Sequence, residues 1–305
     1  MTNNLQDQKT WRLPGVIALL ITPFRADGRI DWPAYDAYVD WQASHRPHGF
    51  FAVCGSSEMK WLTADERLEL ARRAVERAGD IPVVATANLA ADIAEHVGEM
   101  QRMAGTGVAG LVLTPPPQVS GDRALYRRYI EQMAANAPLP LLLYEWPQVE
   151  NHLIDADLFA QVAPLLAGIK DTTCTLEGIG AKQRVAGDAV VYQANTPFML
   201  DALEMGVRGI MAITSTVATP WLLQLWDGVQ AGADMRRLHR ELVILDNMLT
   251  IAYPATAKHL LARQGLRIDL HTRAPVTLNP AGLRALDAYW DGIMLDTPLS
   301  ISRCK

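Results

Sequence analysis

Lys170 closes a short apolar run, Leu165-Leu166-Ala167-Gly168-Ile169, and is followed at once by Asp171-Thr172-Thr173. The run reads as a buried strand, and such strands rarely end on a bare ammonium. At the lip of a buried strand a lysine loses solvation, which lowers its pKa. A free amine near neutral pH is what attack on a ketone carbon requires, so Lys170 is a candidate Schiff-base lysine. The alternative is a lysine that snorkels from the strand end into solvent.

One strand earlier, residues 139–144 form another apolar run, ending in Tyr144 and stopped by Pro147. If the two runs are neighbouring parallel strands, Tyr144 and Lys170 end side by side at one face. A phenol beside an amine that must lose and relay protons is a candidate acid/base partner; otherwise Tyr144 is a strand-end aromatic packed at a rim. Gly55-Ser56-Ser57, ahead of a helix capped at Thr63, offers backbone N–H groups and hydroxyls. That is either a cradle for a small carboxylate or an ordinary hydroxyl-rich turn.

The elements that must carry these residues alternate regularly. Apolar runs at 16–21, 49–54, 81–86, 109–114, 139–144, 166–170, 189–193 and 209–213 are separated by segments of helical spacing such as 64–78, 92–105, 122–135 and 196–206. Thr63 with Glu66, and Asp92 with Glu95, read as capping pairs, and Gly79, Gly105 and Gly206 fall where helices should end. Eight strand–helix cycles of the buried-parallel type predict an α/β fold, a (β/α)8 TIM barrel, with active residues at the C-terminal strand ends. No G-x-G-x-x-G follows a strand, which removes a dinucleotide-binding sheet. The expected organisation is a catalytic barrel over 1–232 and a three-helix C-terminal extension over 233–305, packed on the barrel.

Composition narrows the function. The 305 residues are half hydrophobic and carry a net charge of −5, with 28 basic against 33 acidic side chains, so no basic surface for nucleic acid is expected. Cys54, Cys174 and Cys304 form no CxxC and suggest neither disulfides nor a zinc site. The polar segment 1–9 lacks a signal-peptide core, and no apolar stretch reaches the roughly 18 residues of a membrane span. A soluble cytoplasmic protein is expected. The seven histidines fall away from the strand ends, so no metal is expected either.

Taken together, the motifs resemble the pyruvate-type class I aldolases related to dihydrodipicolinate synthase and N-acetylneuraminate lyase. Ile21-Thr22-Pro23-Phe24 followed by Asp27-Gly28, Gly55-Ser56-Ser57-Glu58 with Leu62-Thr63-x-x-Glu66-Arg67, and Tyr144-Glu145-Trp146-Pro147 match family elements. So do Gly168-Ile169-Lys170-Asp171, Gly206-x-x-Gly209-Ile210-Met211 and the late Lys258, Gly265 and Arg273-x-Pro275. The resemblance implies an imine between Lys170 and a 2-oxo acid such as pyruvate, with no other cofactor. It implies Tyr144 as the proton-handling phenol, and Gly55, Ser56 and Ser57 at the substrate carboxylate. It further implies a Met211 carbonyl in the pocket, Asn195 and Thr196 at a hydroxylated partner such as an aldehyde, and a dimer or tetramer. Glu58 reads as an anchor for the loop.

The departures from that pattern shape the expected reaction. The synthase's relay threonine corresponds to Gly55, its relay tyrosine to the neighbourhood of Pro116 and Pro117, and an arginine to Val149. The lyase's acidic residues correspond to Asn195 and Thr196, and Ser57 replaces a glycine. Trp61, Trp146 and Pro115-Pro116-Pro117 would make the pocket mouth apolar. The favoured expectation is an imine-forming lyase that cleaves, condenses or dehydrates a 2-oxo acid. Dihydrodipicolinate synthase activity itself, or a sensor that kept the barrel without turnover, are the alternatives.

Overall fold

The structure, a computed structural model, describes residues 12–296. Its strands are β1 Gly15–Leu19, β2 Gly49–Phe51, β3 Val83–Thr86, β4 Gly110–Leu113, β5 Leu141–Tyr144, β6 Gly168–Asp171, β7 Val190–Gln193 and β8 Gly209–Ile210. They pair in parallel in chain order, and β8 closes back on β1. Every predicted run overlaps one of these strands, with β1 and β6 reaching one residue beyond theirs. The ladder is shorter than the runs at their N-terminal side in β3, β5, β6 and β7 and at their C-terminal side in β1, β2 and β8, where only two residues of 209–213 stay paired.

One helix follows each strand: α1 Trp32–Ser44, α2 Ala64–Ala78, α3 His96–Ala104, α4 Arg123–Asn136, α5 Ala156–Val162, α6 Leu176–Val185, α7 Met199–Glu204 and α8 Ser215–Gln230. Then come α9 Arg236–Thr250, α10 Ala255–Arg263 and α11 Pro280–Asp296. The barrel with three further C-terminal helices is the expected fold. The polar segment 1–9 and Cys304 lie outside the described residues. Among the described residues no helix is long and apolar enough to cross a membrane.

Local signals were partly right. Thr63 and Glu66 form a reciprocal capping box, each side chain accepting from the other's backbone N–H at 3.2 and 2.9 Å. Asp92 instead caps a 3₁₀ turn by accepting from Ala94 N–H, so α3 starts later than the sequence suggested. Gly105 keeps right-handed angles, and Gly107 two residues on takes the left-handed turn at φ 91°.

The lower barrel is plugged by Tyr192, whose hydroxyl donates to the Leu13 carbonyl at 2.7 Å. Gly168 and Gly209 leave room for its ring, since a Cβ on either would collide with it. That closes one end and leaves the C-terminal strand ends as the mouth.

Candidate active site

Alternation along a strand decides which side chains reach the interior. Tyr144 and Lys170 are register partners on β5 and β6. Phe51, on β2, packs edge-on against the Tyr144 ring at 5.9 Å between centroids. β2 and β5 are not neighbours in the sheet, so this contact crosses the barrel and places Tyr144 inside. The Lys170 ammonium lies 4.3 Å from the Tyr144 ring centroid and 5.7 Å from that of Phe51.

Lys170 is only 5% exposed, and no described residue accepts a hydrogen bond from it or pairs with it. The contrast with two other buried lysines is informative. Lys258 donates to Glu58 Oε1 at 2.9 Å and to the His271 carbonyl at 2.5 Å. Lys182 donates to Glu145, Asp171 and Thr173 at 2.5, 2.9 and 2.9 Å. Burying an ammonium without an acceptor penalises its charged form. Burial accordingly lowers Lys170 to about 8. At pH 7 roughly one molecule in ten then carries the free amine, against roughly one in 3,000 for an ordinary lysine. Burial, together with the Cys54 thiol nearby, pushes Tyr144 above the usual phenol range, so its hydroxyl stays protonated.

The turn after β2 faces this pair. Residues Gly55–Ser57 make one 3₁₀ turn, and Glu58 follows in the left-handed region at φ 60°. No described residue accepts from the N–H groups of Gly55 or Ser56. A Cβ on Gly55 would sit 3.2 Å from the Tyr144 hydroxyl oxygen, so the turn reaches the phenol. Glu58 holds the turn from behind. It accepts from Lys258 and, through Oε2, from the N–H groups of Arg273 and Ala274 at 2.7 Å each. Arg273 also grips Glu66 with two bonds of 2.7 Å. Lys258 on α10 and the segment between α10 and α11 therefore fix this turn beside the Tyr144 hydroxyl.

The remaining sequence-derived site residues divide. Met211 is buried, and no described residue donates to its carbonyl, which leaves an acceptor available. Asn195 donates to the Thr173 carbonyl at 3.1 Å and keeps its own oxygen unused. Ser57 and Thr196 are different, because their hydroxyls are already spent. Ser57 donates towards the Leu20 and Ala52 carbonyls at 2.8 and 2.5 Å and accepts from Cys54 N–H. Thr196 donates to Asp246 at 2.8 Å.

A buried ionic cluster behind the pair escaped the sequence reading. Glu145 and Asp171 follow Tyr144 and Lys170, so they point the opposite way, out of the barrel, where Lys182 of α6 bridges them. Glu145 also accepts from the N–H groups of Ile154 and Thr172 at 2.9 and 3.0 Å. Burial, with Asp171 adjacent, lifts Glu145 to about 7 against the pull of Lys182. Burial alone would lower Lys182, but its two carboxylates outweigh that and raise it. The only hint in the sequence was the period of two, which puts residues 145 and 171 on the face opposite 144 and 170.

Polar groups gathered at the C-terminal ends of barrel strands are the architecture of a barrel enzyme. The chain belongs to the Dihydrodipicolinate synthetase family, whose model matches residues 12–282. It is similar to a 4-hydroxy-tetrahydrodipicolinate synthase of Teredinibacter turnerae, 28% identical over 86% of this chain and 92% of that protein. A probable 5-dehydro-4-deoxyglucarate dehydratase of Xanthomonas campestris is 30% identical over 75% of each chain. Two solved structures share the fold. One is dihydrodipicolinate synthase from Thermotoga maritima (TM-score 0.87, 20% identity, 93% of this chain and 100% of that one). The other is a prophage protein of the dihydrodipicolinic acid synthase family from E. coli K12, in complex with pyruvate (TM-score 0.85, 22% identity, 92% and 99%).

Proposed function

We propose that the protein is an imine-forming lyase that acts on a 2-oxo acid, pyruvate or a longer relative, through Lys170. The observation that carries this reading is the buried Lys170 amine with no acceptor, when Lys182 and Lys258 each have carboxylate partners. A buried amine that nothing neutralises is an energetic liability unless chemistry uses it.

The free amine attacks C2 of the oxo acid, water leaves, and the protonated imine forms. It draws electrons from C3, so a C–C or C–O bond beta to the imine carbon can break, or form in reverse. The N–H groups of Gly55 and Ser56 hold the substrate carboxylate, and the Met211 carbonyl accepts from an N–H or O–H of the bound molecule. Tyr144 exchanges protons with the reacting carbon or oxygen. Asn195 offers a neutral acceptor further along the substrate. The dehydratase relative makes hydroxylated 2-oxo acids reasonable members of the substrate panel.

The test is a panel of 2-oxo acids, with and without hydroxyls at C3 and C4, followed for substrate loss and product mass. Turnover of at least one member, abolished in Lys170→Ala, is expected. No turnover of any member, or turnover that survives Lys170→Ala, would refute the reading.

A further inference from the structure

The carboxylate of Glu145 is buried and receives three donors. Lys182 Nζ and the Ile154 N–H reach Oε1 at 2.5 and 2.9 Å, and the Thr172 N–H reaches Oε2 at 3.0 Å. An ammonium and backbone N–H groups can only donate, so these partners suit a carboxylate and not a carboxylic acid. The bonds join pieces of chain that matter to the pocket. Glu145 N–H donates to the Lys170 carbonyl at 3.3 Å, and Thr172 Oγ1 donates to the Glu145 carbonyl at 3.0 Å. The Glu145 and Thr172 side chains thus prolong the β5–β6 ladder just past Tyr144 and Lys170, the last pair of its register. Ile154 lies at the far end of the β5–α5 connection, so the same carboxylate closes that loop back onto its own start.

Charge works against a permanent carboxylate. Glu145 and Asp171 share one ammonium, which leaves one negative charge over in a buried place. Once protonated, Glu145 has a hydrogen to place. Asp171, held beside it by the same ammonium, has a buried oxygen, Oδ2, without a partner. Turning a hydroxyl towards that oxygen forfeits a bond from Thr172 or Ile154.

We infer that Glu145 is a positioning residue: ionised, it locks the ends of β5 and β6 so that Tyr144 and Lys170 keep their working alignment, and uptake of a proton releases the lock. The inference rests on the imine chemistry proposed above and gives that chemistry its dependence on pH. The groups that face the cluster are Asp171 of β6, Lys182 of α6, Tyr126 of α4, and Cys174 and His152 in the connections. Burial holds the Tyr126 phenol well above its usual range, and burial with Asp171 nearby raises the Cys174 thiol, so both stay protonated at neutral pH. Its two carboxylates raise Lys182, which stays charged. Burial lowers His152, which therefore titrates below Glu145, itself lifted to about 7.

The test uses pyruvate, with exchange of its methyl protons followed by NMR in deuterium oxide and a borohydride-trapped adduct weighed in parallel. At saturating pyruvate Lys170 is already committed to the imine, so its own titration drops out of the profile. Exchange by the wild-type protein is expected to rise about fivefold from pH 6 to pH 8 and then level off, as Glu145 ionises. Glu145→Gln keeps the shape, leaves Asp171 and Lys182 paired one to one, and offers an acceptor at one end only. It is expected to form the adduct yet exchange about tenfold below the wild-type plateau, the scale of one lost charge-assisted bond, with no rise over that range. A rate in Glu145→Gln equal to the wild-type plateau, a variant profile that still rises, or a folded variant without adduct would overturn the inference. So would a flat wild-type profile, which needs no variant to fold. Absence of any adduct in the wild-type protein would instead overturn the imine reading beneath it.

Discussion

Replacing Lys170 with methionine should make the protein more stable, and by an amount that depends on pH. The wild-type amine is lowered from 10.5 to about 8 by burial. A group whose folded pKa is depressed is penalised wherever it is protonated in both states, here below about pH 8. The penalty shrinks as pH rises from 8 towards 10.5, where both states become neutral. A shift of about 2.5 units at about 1.4 kcal/mol each makes the cost about 3 kcal/mol at pH 7. Methionine matches the stem in length and leaves no charge behind, so Lys170→Met should recover most of that. Urea unfolding followed by tryptophan fluorescence would give both midpoints at pH 7, 8.5 and 10. The expected result is a variant about 3 kcal/mol more stable at pH 7, with the gain largely gone by pH 10. A variant no more stable than wild type at pH 7, or a gain that does not change with pH, would refute the view that Lys170 is an uncompensated buried charge.

Three further outcomes follow from the same geometry. Tyr144→Phe should still form the imine but turn over about 100-fold more slowly, the scale of one positioned acid/base group, and near-normal kcat would remove Tyr144 from the chemistry. Lys182→Met should destabilise the fold by about 3–5 kcal/mol, because it strands two buried carboxylates, and a change under 1 kcal/mol in a denaturation curve would contradict the cluster's role. Condensation of pyruvate with aspartate semialdehyde should be negligible in a coupled assay, since Val149 offers no cation for the second carboxylate; turnover near ~10 per second would overturn that expectation.

Much of the architecture was legible because it rests on local signals. Apolar runs of strand length, each followed by a segment of helical spacing, fix the alternation, and alternation of that kind has a barrel as its closed solution. The pairing of Tyr144 with Lys170 could be read for the same reason, as both residues terminate adjacent runs. What could not be read were choices made by distant partners. Glu145 and Lys182 are 37 residues apart and meet only when α6 packs outside β5 and β6. Phe51 approaches Lys170 only across the closed barrel interior. Hydroxyls were equally opaque. Ser57 and Ser56 are neighbours of one chemistry, yet Ser57 is consumed by the Leu20 and Ala52 carbonyls, a fact that depends on where β1 and β2 leave their acceptors. Thr196 likewise goes to Asp246, which arrives on α9 fifty residues later. Gly55 was visible as a missing side chain, but the close approach of the Tyr144 hydroxyl and the Trp146 indole to it was not.

The most direct test of the account is to incubate the protein with pyruvate, reduce with borohydride and locate the added mass by peptide mapping. The account predicts a single irreversible adduct on the peptide that contains Lys170, lost in Lys170→Ala while Lys182 and Lys258 stay unmodified. No adduct at saturating pyruvate, or an adduct that persists in Lys170→Ala, would contradict it.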